Sequence, residues 1–186
     1  MAESVVTNSA GSAAQGHLLV VDDNRVNRTL LASRLAKRGY TVGQAADGSE
    51  ALAAVDAGHY DLVLLDIEMP GLSGFEVLQI LRERFSRAEL SVVMVTGREE
   101  SDAIVHALDL GANDYVFKSA EFEVVLARVQ GQLALKQALE QLQQARRMQS
   151  IGQLAGGLAH EINTPLQFIS DNAMFISQVF QRLEPL

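Results

Sequence analysis

Five short apolar runs, separated by longer amphipathic stretches, constrain the fold of this chain more than any other feature. The runs have four or five residues each and begin at His17; in order they are HLLVV, TVGQA, DLVLL, SVVMV and DYVF. Apolar runs without polar alternation are typical of strands that are buried on both faces of a parallel sheet. Strands that alternate with helix-length segments predict an α/β, doubly wound fold.

Amphipathic segments of helical length follow the first four runs, and a further helix is predicted to open near Glu121. The four segments lie at residues 24–38, 49–57, 74–84 and 99–110. Glycine commonly follows the last turn of a helix. It stands just past three of these segments, at Gly39, Gly58 and Gly111.

Beyond Ala120 the strand pattern stops and a helical seam takes its place. Apolar residues recur at steps of three or four from Ile151 to Leu183, which is close to a heptad repeat. A continuous helix of about 60 residues would extend about 90 Å, so one small domain cannot bury its seam. We therefore expect a coiled-coil homodimer through this helix. The predicted organisation is a disordered leader at 1–16, an α/β domain at 17–130 and the long helix at 131–186.

Composition excludes several classes of function. The 15 basic and 23 acidic side chains leave a net charge of −8, which argues against a nucleic-acid-binding surface. The chain has no cysteine, so disulfides, thiolate catalysis and Cys-ligated metals are excluded. No apolar run reaches the roughly 18 residues of a membrane span, and the first 16 residues lack the features of a secretory signal. We expect a cytoplasmic protein.

Polar side chains gather where the predicted strands end. Asp22 and Asp23 follow the first strand, Asp66 the third, Thr96 the fourth and Lys118 the fifth. The carboxyl ends of parallel strands meet at one edge of the sheet, which is where ligands bind. Three converging carboxylates call for a hard cation such as Mg²⁺, and a lysine with a hydroxyl suits a phosphoryl group. One of the carboxylates could act as the nucleophile that forms an aspartyl phosphate.

The segments LLVVDDN, VLLDIEMPGLSGFE, VVMVTG and YVFKS resemble the motifs of response-regulator receiver domains. The resemblance covers about residues 17–130 and implies a flavodoxin-like fold, a five-stranded parallel sheet of order 2-1-3-4-5. It implies that Asp66 is the phosphoacceptor. It also implies a Mg²⁺ ion bound directly by Asp23 and Asp66, through water by Asp22, and by the backbone carbonyl of Glu68.

The same resemblance assigns roles to three further residues. Lys118 would pair with the phosphoryl oxygens, Thr96 would move in to donate a hydrogen bond to the phosphate, and Tyr115 would rotate inward as an aromatic switch. One residue departs from the family pattern, because Ser119 follows Lys118 where receivers usually have a proline in a cis peptide. A cis bond to serine would cost about 2.5–4 kcal/mol. We therefore expect a trans bond, or a strained cis one, and some loss of Lys118 placement.

HEINTPLQ, within the long helix, resembles the H-box of histidine kinases. The likeness covers about residues 145–180. It implies that His160 is a phosphorylated histidine, that Glu161 is its acid/base partner and that Thr164 orients a water for phosphatase chemistry. Neither a second helix nor an ATP-binding domain follows, so no ATP-dependent activity is expected of the chain. We interpret it as the N-terminal part of a hybrid two-component histidine kinase, or as a shortened relic of one.

The predicted function is Mg²⁺-dependent phosphoryl acceptance on Asp66, in a phosphorelay with a cognate histidine kinase or other phosphodonor. One alternative is a degenerate receiver that acts only as a dimeric interaction module. A second is a Mg²⁺-dependent phosphatase on a Rossmann-like sheet. Such phosphatases usually carry an Asp-x-Asp pair after the first strand, whereas Asp22 and Asp23 are adjacent.

Overall fold

The computed structural model describes residues 15–97 and 101–149. Its five strands are β1 (His17–Val21), β2 (Thr41–Ala45), β3 (Leu62–Asp66), β4 (Ser91–Thr96) and β5 (Asp114–Phe117). They form one parallel sheet in the order β2-β1-β3-β4-β5, so the predicted flavodoxin-like fold is confirmed.

Helices follow the strands, and polar caps fix the starts of the first three. They are α1 (Arg25–Lys37), α2 (Gly48–Ala57), α3 (Gly74–Arg84), α4 (Ser101–Asp109) and α5 (residues 122–149). The Asn24 side chain accepts hydrogen bonds from the first turn of α1, and Asp47 does the same for α2. Ser73 and Glu76 form a reciprocal capping box at the start of α3.

The sheet is covered on both faces, because alternate side chains of each strand point to opposite sides. On one face, Leu19, Val21, Val63 and Leu65 pack with the apolar sides of α2, α3 and α4. On the other face, residues from the same strands pack against α1 and the first turns of α5; they include Leu18, Val20, Leu62 and Leu64. All eight are at most 1% exposed, which explains why these runs carry no polar alternation.

Helix α5 is attached to the domain by polar contacts as well as by its core residues. At its start, Arg38 forms a 2.7 Å ion pair with Glu123, and the guanidinium groups of Arg34 and Arg38 lie over the Phe122 ring. Further along, the Lys136 ammonium lies 3.0 Å from Asp61 Oδ1. Because Asp61 precedes β3, this pair attaches α5 to the amino-terminal edge of the sheet.

The chain divides into two compact units, residues 1–139 and 140–186. The first contains the sheet and α1 to α4. Of the second, the structure describes only residues 140–149, which are helical. In the described part of the chain, no helix is both long enough and apolar enough to cross a membrane.

Candidate functional site

Four of the predicted site residues lie at the carboxyl edge of the sheet. Asp22 follows β1 and Lys118 follows β5. The sequence predicted that Asp66 and Thr96 follow β3 and β4. The strand pairing extends one residue further, so they are the last residues of these strands. Asp22, Asp66 and Thr96 are buried, at 6%, 1% and 2% exposure. These strand ends therefore place ionisable groups in a largely water-excluded position.

Three carboxylates converge in a geometry that could hold a metal ion. Asp22, Asp23 and Asp66 each offer an oxygen, and the three atoms lie within 4.8 Å of one another. Oxygen donors alone suit a hard cation such as Mg²⁺. The backbone N–H of Glu68 donates to Asp66 Oδ1 at 3.2 Å, which brings the backbone of Glu68 beside this group; its carbonyl as a ligand stays a prediction.

Lys118 reaches across the edge of the sheet to the acidic group. Its Nζ contacts Asp66 Oδ2 and lies 3.2 Å from Asp22 Oδ2. The backbone N–H of Lys118 donates to the Thr96 carbonyl at 2.7 Å, which fixes where the chain leaves β5. Within the described residues no peptide bond is cis, so the trans bond to Ser119 is confirmed. The flexible Lys118 side chain reaches Asp66 from this trans backbone, and the effect of Ser119 on its placement stays a prediction.

Burial and charge shift the titration of this pair. Burial raises the pKa of Asp66 above its ordinary value; Lys118 and the Glu68 N–H oppose that shift, and the Asp22 charge adds to it. Burial alone would lower the pKa of Lys118, but the two carboxylates outweigh burial and raise it. The site therefore carries a lysine held in its charged form beside a carboxylate that binds its proton unusually well.

Sequence reasoning missed two residues that shape the acidic loop. The Arg28 guanidinium donates to the Asp22 carbonyl at 2.5 Å, and the Asn24 backbone N–H donates to Asp22 Oδ1 at 2.8 Å. Asn24 signals its role as a helix cap, but nothing in its pattern indicates a contact with the site. Arg28 belongs to α1, which contains four basic residues and no acidic one; the C-cap of the helix, Arg38, is also basic.

Gly74, the first residue of α3, permits a close backbone approach behind Asp66. A Cβ placed on Gly74 would lie 2.1 Å from the Asp66 carbonyl oxygen. The Gly74 N–H donates to the Ile67 carbonyl at 2.9 Å, which closes the loop that carries the acidic side chain. A glycine is therefore required here for space, although its φ is ordinary.

Tyr115 lies on β5, partly exposed, where it packs against the cluster shared by α3 and α4. Its ring centroid is 5.6 Å from that of Phe117. The switch roles of Thr96 and Tyr115 stay predictions. His160, Glu161 and Thr164 lie outside the described residues.

Comparisons with known proteins agree with this geometry. The family model for the response regulator receiver domain matches residues 18–130. The chain belongs to the response-regulator receiver family, and a role in two-component signalling follows from that membership.

Individual relatives cover the same part of the chain. The uncharacterized transcriptional regulatory protein YkoG of Bacillus subtilis is 43% identical over 119 residues, 64% of this chain and 51% of YkoG. The CAI-1 autoinducer sensor kinase/phosphatase CqsS of Vibrio cholerae is 36% identical over 119 residues, 63% of this chain and 17% of CqsS. The chain spans about half the length of the curated transcriptional regulators that it matches.

A solved structure shares the fold and carries a metal. It is the response regulator TrrA of Thermotoga maritima in complex with Mg²⁺ and BeF, with a TM-score of 0.57 and 35% identity over 63% of this chain and 98% of TrrA.

Proposed function

We propose that this chain accepts a phosphoryl group on Asp66 in a Mg²⁺-dependent reaction. One observation carries the proposal: a carboxylate that is 1% exposed contacts the Lys118 ammonium and lies within 4.8 Å of two further carboxylates. An Asp66 oxygen would attack phosphorus and the bond from phosphorus to the donor would break, with the bonding electrons leaving on the donor. The product is an aspartyl phosphate.

The residues around Asp66 supply charge compensation for that step. Asp22, Asp23 and Asp66, with the Glu68 carbonyl, would hold Mg²⁺, which neutralises charge on the transferred group. Lys118 already lies against the attacking carboxylate and would pair with the phosphoryl oxygens. Thr96 would then donate its hydroxyl to the phosphate, and Tyr115 would rotate inward behind it.

Intact mass spectrometry tests the proposal directly. The protein is incubated with a small acyl phosphate, with Mg²⁺ or with EDTA. Wild type and an Asp109→Ala control, which removes an exposed carboxylate of α4, should gain one phosphoryl group with Mg²⁺ only. Asp66→Ala should gain none. No gain in wild type would leave a degenerate receiver that acts as an interaction module, and turnover of a generic phosphoester would favour the phosphatase.

We further propose that this receiver, residues 17–130, regulates a cytoplasmic histidine-kinase module or exchanges phosphate with it. Residues 131–186 would form the first part of that module. The H-box likeness around His160 supports this proposal, as does the match to 17% of the length of a sensor kinase/phosphatase. Glu161 would assist proton transfer, and Thr164 would orient a water.

Chemical lability distinguishes the two phosphorylated residues. An aspartyl phosphate is hydrolysed in alkali, whereas a phosphohistidine survives alkali and is lost in acid. If the two sites exchange phosphate, a chain labelled on Asp66 should develop an alkali-stable, acid-labile fraction that His160→Gln abolishes. A label that stays wholly on Asp66 in wild type would contradict the exchange.

Homodimerisation through the long helix completes the proposal. Leu135, Leu139 and Leu142 are exposed on α5 at steps of four and three residues. This spacing is that of a coiled-coil seam.

A further inference from the structure

A cavity of about 200 Å³ lies between α1 and α5, beside the acidic site. We name it the α1–α5 cavity. Its walls include Arg28, Leu31 and Arg34 of α1, Val95 and Val116 of the sheet, and Phe122 of α5.

The floor of the α1–α5 cavity is apolar. It reaches the sheet at Val20, Leu64, Val95 and Val116, which are all at most 9% exposed. Protein interiors are normally close-packed, and apolar hollows of comparable size bind small apolar molecules. The floor therefore suits the hydrocarbon part of a ligand.

The polar groups of the same cavity are mainly cationic. Arg28, Arg34 and Lys118 all line it, together with one carboxylate, Asp22. Arg28 uses one terminal nitrogen for the Asp22 carbonyl, and Arg34 lies with its guanidinium 5.6 Å from the centroid of the Phe122 ring. A guanidinium has five N–H donors, so both arginines retain donors for an anion. Lys118 is already paired with Asp66 and Asp22, so the two arginines supply the positive charge that a ligand would meet.

We propose that the α1–α5 cavity binds a small organic anion, a short-chain or monocyclic carboxylate. The apolar body lies on the sheet, and the carboxylate accepts hydrogen bonds from Arg28 and Arg34. An apolar pocket with a few convergent polar groups has the ordinary form of a small-molecule site. This inference goes beyond phosphoryl acceptance, since the binding needs neither Mg²⁺ nor a phosphodonor.

Methyl NMR on the full chain tests the ligand class. Titration with hexanoate should shift the methyl signals of Leu31, Val95 and Val116 saturably. Hexan-1-ol has the same body without the charge, and acetate has the charge without the body; both should bind at least about tenfold more weakly. Equal binding of hexanoate and hexan-1-ol, or no saturable shift with hexanoate, would overturn the proposal.

Variants identify the cations. Arg28→Gln and Arg34→Gln should each weaken hexanoate binding about tenfold and leave the weak binding of hexan-1-ol unchanged. Arg25→Gln is the matched control, because Arg25 is exposed on the same helix and lies outside the cavity walls. Arg28→Gln could disturb the acidic loop, because Arg28 donates to the Asp22 carbonyl. Arg34→Gln avoids that effect and tests the cavity alone. If neither substitution affects hexanoate binding, the assignment fails. It also fails if the methyl shifts depend on protein concentration rather than ligand concentration, because that result would place another copy of the chain in the cavity.

Discussion

The Asp66 side chain is nearly inaccessible to solvent, and a second carboxylate lies beside it. Its raised pKa means that the folded protein binds this proton more tightly than the unfolded chain does. The sign of the linkage follows: as pH rises from the ordinary value of 3.8 through the raised pKa, folding loses stability. The charge that the proposed function needs at this residue therefore lowers stability in the metal-free state.

Asp66→Asn should therefore stabilise the metal-free protein at pH 7, because an amide of the same shape carries no charge into the site. We expect the free energy of unfolding in urea to rise by on the order of 1 kcal/mol. The gain should shrink as pH falls toward 4, and saturating MgCl₂ should stabilise wild type more than the variant. A variant less stable than wild type at pH 7 would contradict the assignment of burial as the dominant effect.

Gly74 and Gly131 form a matched pair of glycines. Gly74→Ala should lower the free energy of unfolding by about 1–3 kcal/mol and slow phosphoryl acceptance, because the new methyl group displaces the Asp66 backbone. Gly131 lies within α5, and a Cβ added there would meet no atom within 4 Å, so Gly131→Ala should instead stabilise by about 1 kcal/mol. Urea denaturation measures both effects. If both substitutions changed the free energy of unfolding equally, the backbone around Gly74 would have to accommodate the new methyl group without loss of stability.

The positions of site residues were predicted correctly where chemistry and strand ends coincide. Asp22, Asp66 and Lys118 were identifiable because each ends a recognisable apolar run. Arg28 and Gly74 were not, because their roles depend on the path of a loop and on separations of a few tenths of an ångström. Neither quantity is encoded in the spacing of hydrophobic residues.

At the scale of elements, two of the ion pairs that α5 makes differ strongly in exposure. The Lys136 and Asp61 side chains are 10% and 27% exposed, whereas Arg38 and Glu123 are 49% and 65% exposed. Burial raises the pKa of Asp61, but hydrogen bonds from the His17 N–H and Lys136, together with the lysine charge, outweigh burial and lower it. The nearly buried pair is therefore expected to matter more for the attachment of α5.

Asp61→Asn should lower the free energy of unfolding at pH 7 by about 3 kcal/mol, since it leaves the Lys136 ammonium without its carboxylate. Arg38→Gln should change it by less than about 1 kcal/mol, because water screens the exposed pair. Because the pKa of Asp61 is lowered, its contribution is present at neutral pH and is lost as pH falls below 3.8. Urea denaturation at pH 7 and pH 3 measures the difference; equal effects of the two variants at pH 7 would refute it.

The elements themselves were largely predictable, and their ends were less so. The pattern of apolar runs gave all five strands, and α3 begins and ends where it was predicted. Residues 24 and 49 were predicted to start α1 and α2, but Asn24 is a cap and α2 begins at Gly48. The pair between Asp61 and Lys136 joins residues 75 apart, and no local pattern reports such a contact.

At the scale of the whole molecule, the exposed leucines of α5 test the proposed dimer. In the full chain, Leu139→Glu with Leu142→Glu should convert a dimer to a monomer, because charges on a coiled-coil seam lose their apolar partners. Val26→Glu, at a residue of α1 that is 72% exposed, should leave the dimer intact. Light scattering after size-exclusion chromatography measures the mass. A monomeric wild type, or a dimer in all three chains, would exclude this seam.

A shortened chain gives an independent test of the same seam. The cut belongs after residue 139, where the first compact unit ends, and the product should be monomeric. A cut at Gly131 would also remove Leu133 and Lys136, which are 8% and 9% exposed, and would confuse loss of the dimer with loss of the fold. Sequence periodicity predicted a seam but could not show how far the domain core extends along the helix.

The order of the sheet also governs when the site can form during folding. Asp66 and Lys118 are 52 residues apart, and β4 lies between the strands that carry them. Their contact therefore requires both β4 and β5 to have joined the sheet, and non-local pairing of this kind is slow. A chain emerging from the ribosome has Asp66, the proposed phosphoacceptor, long before it has the lysine. Competence to signal thus arises only when the last strand is in place, so a partly folded receiver is silent.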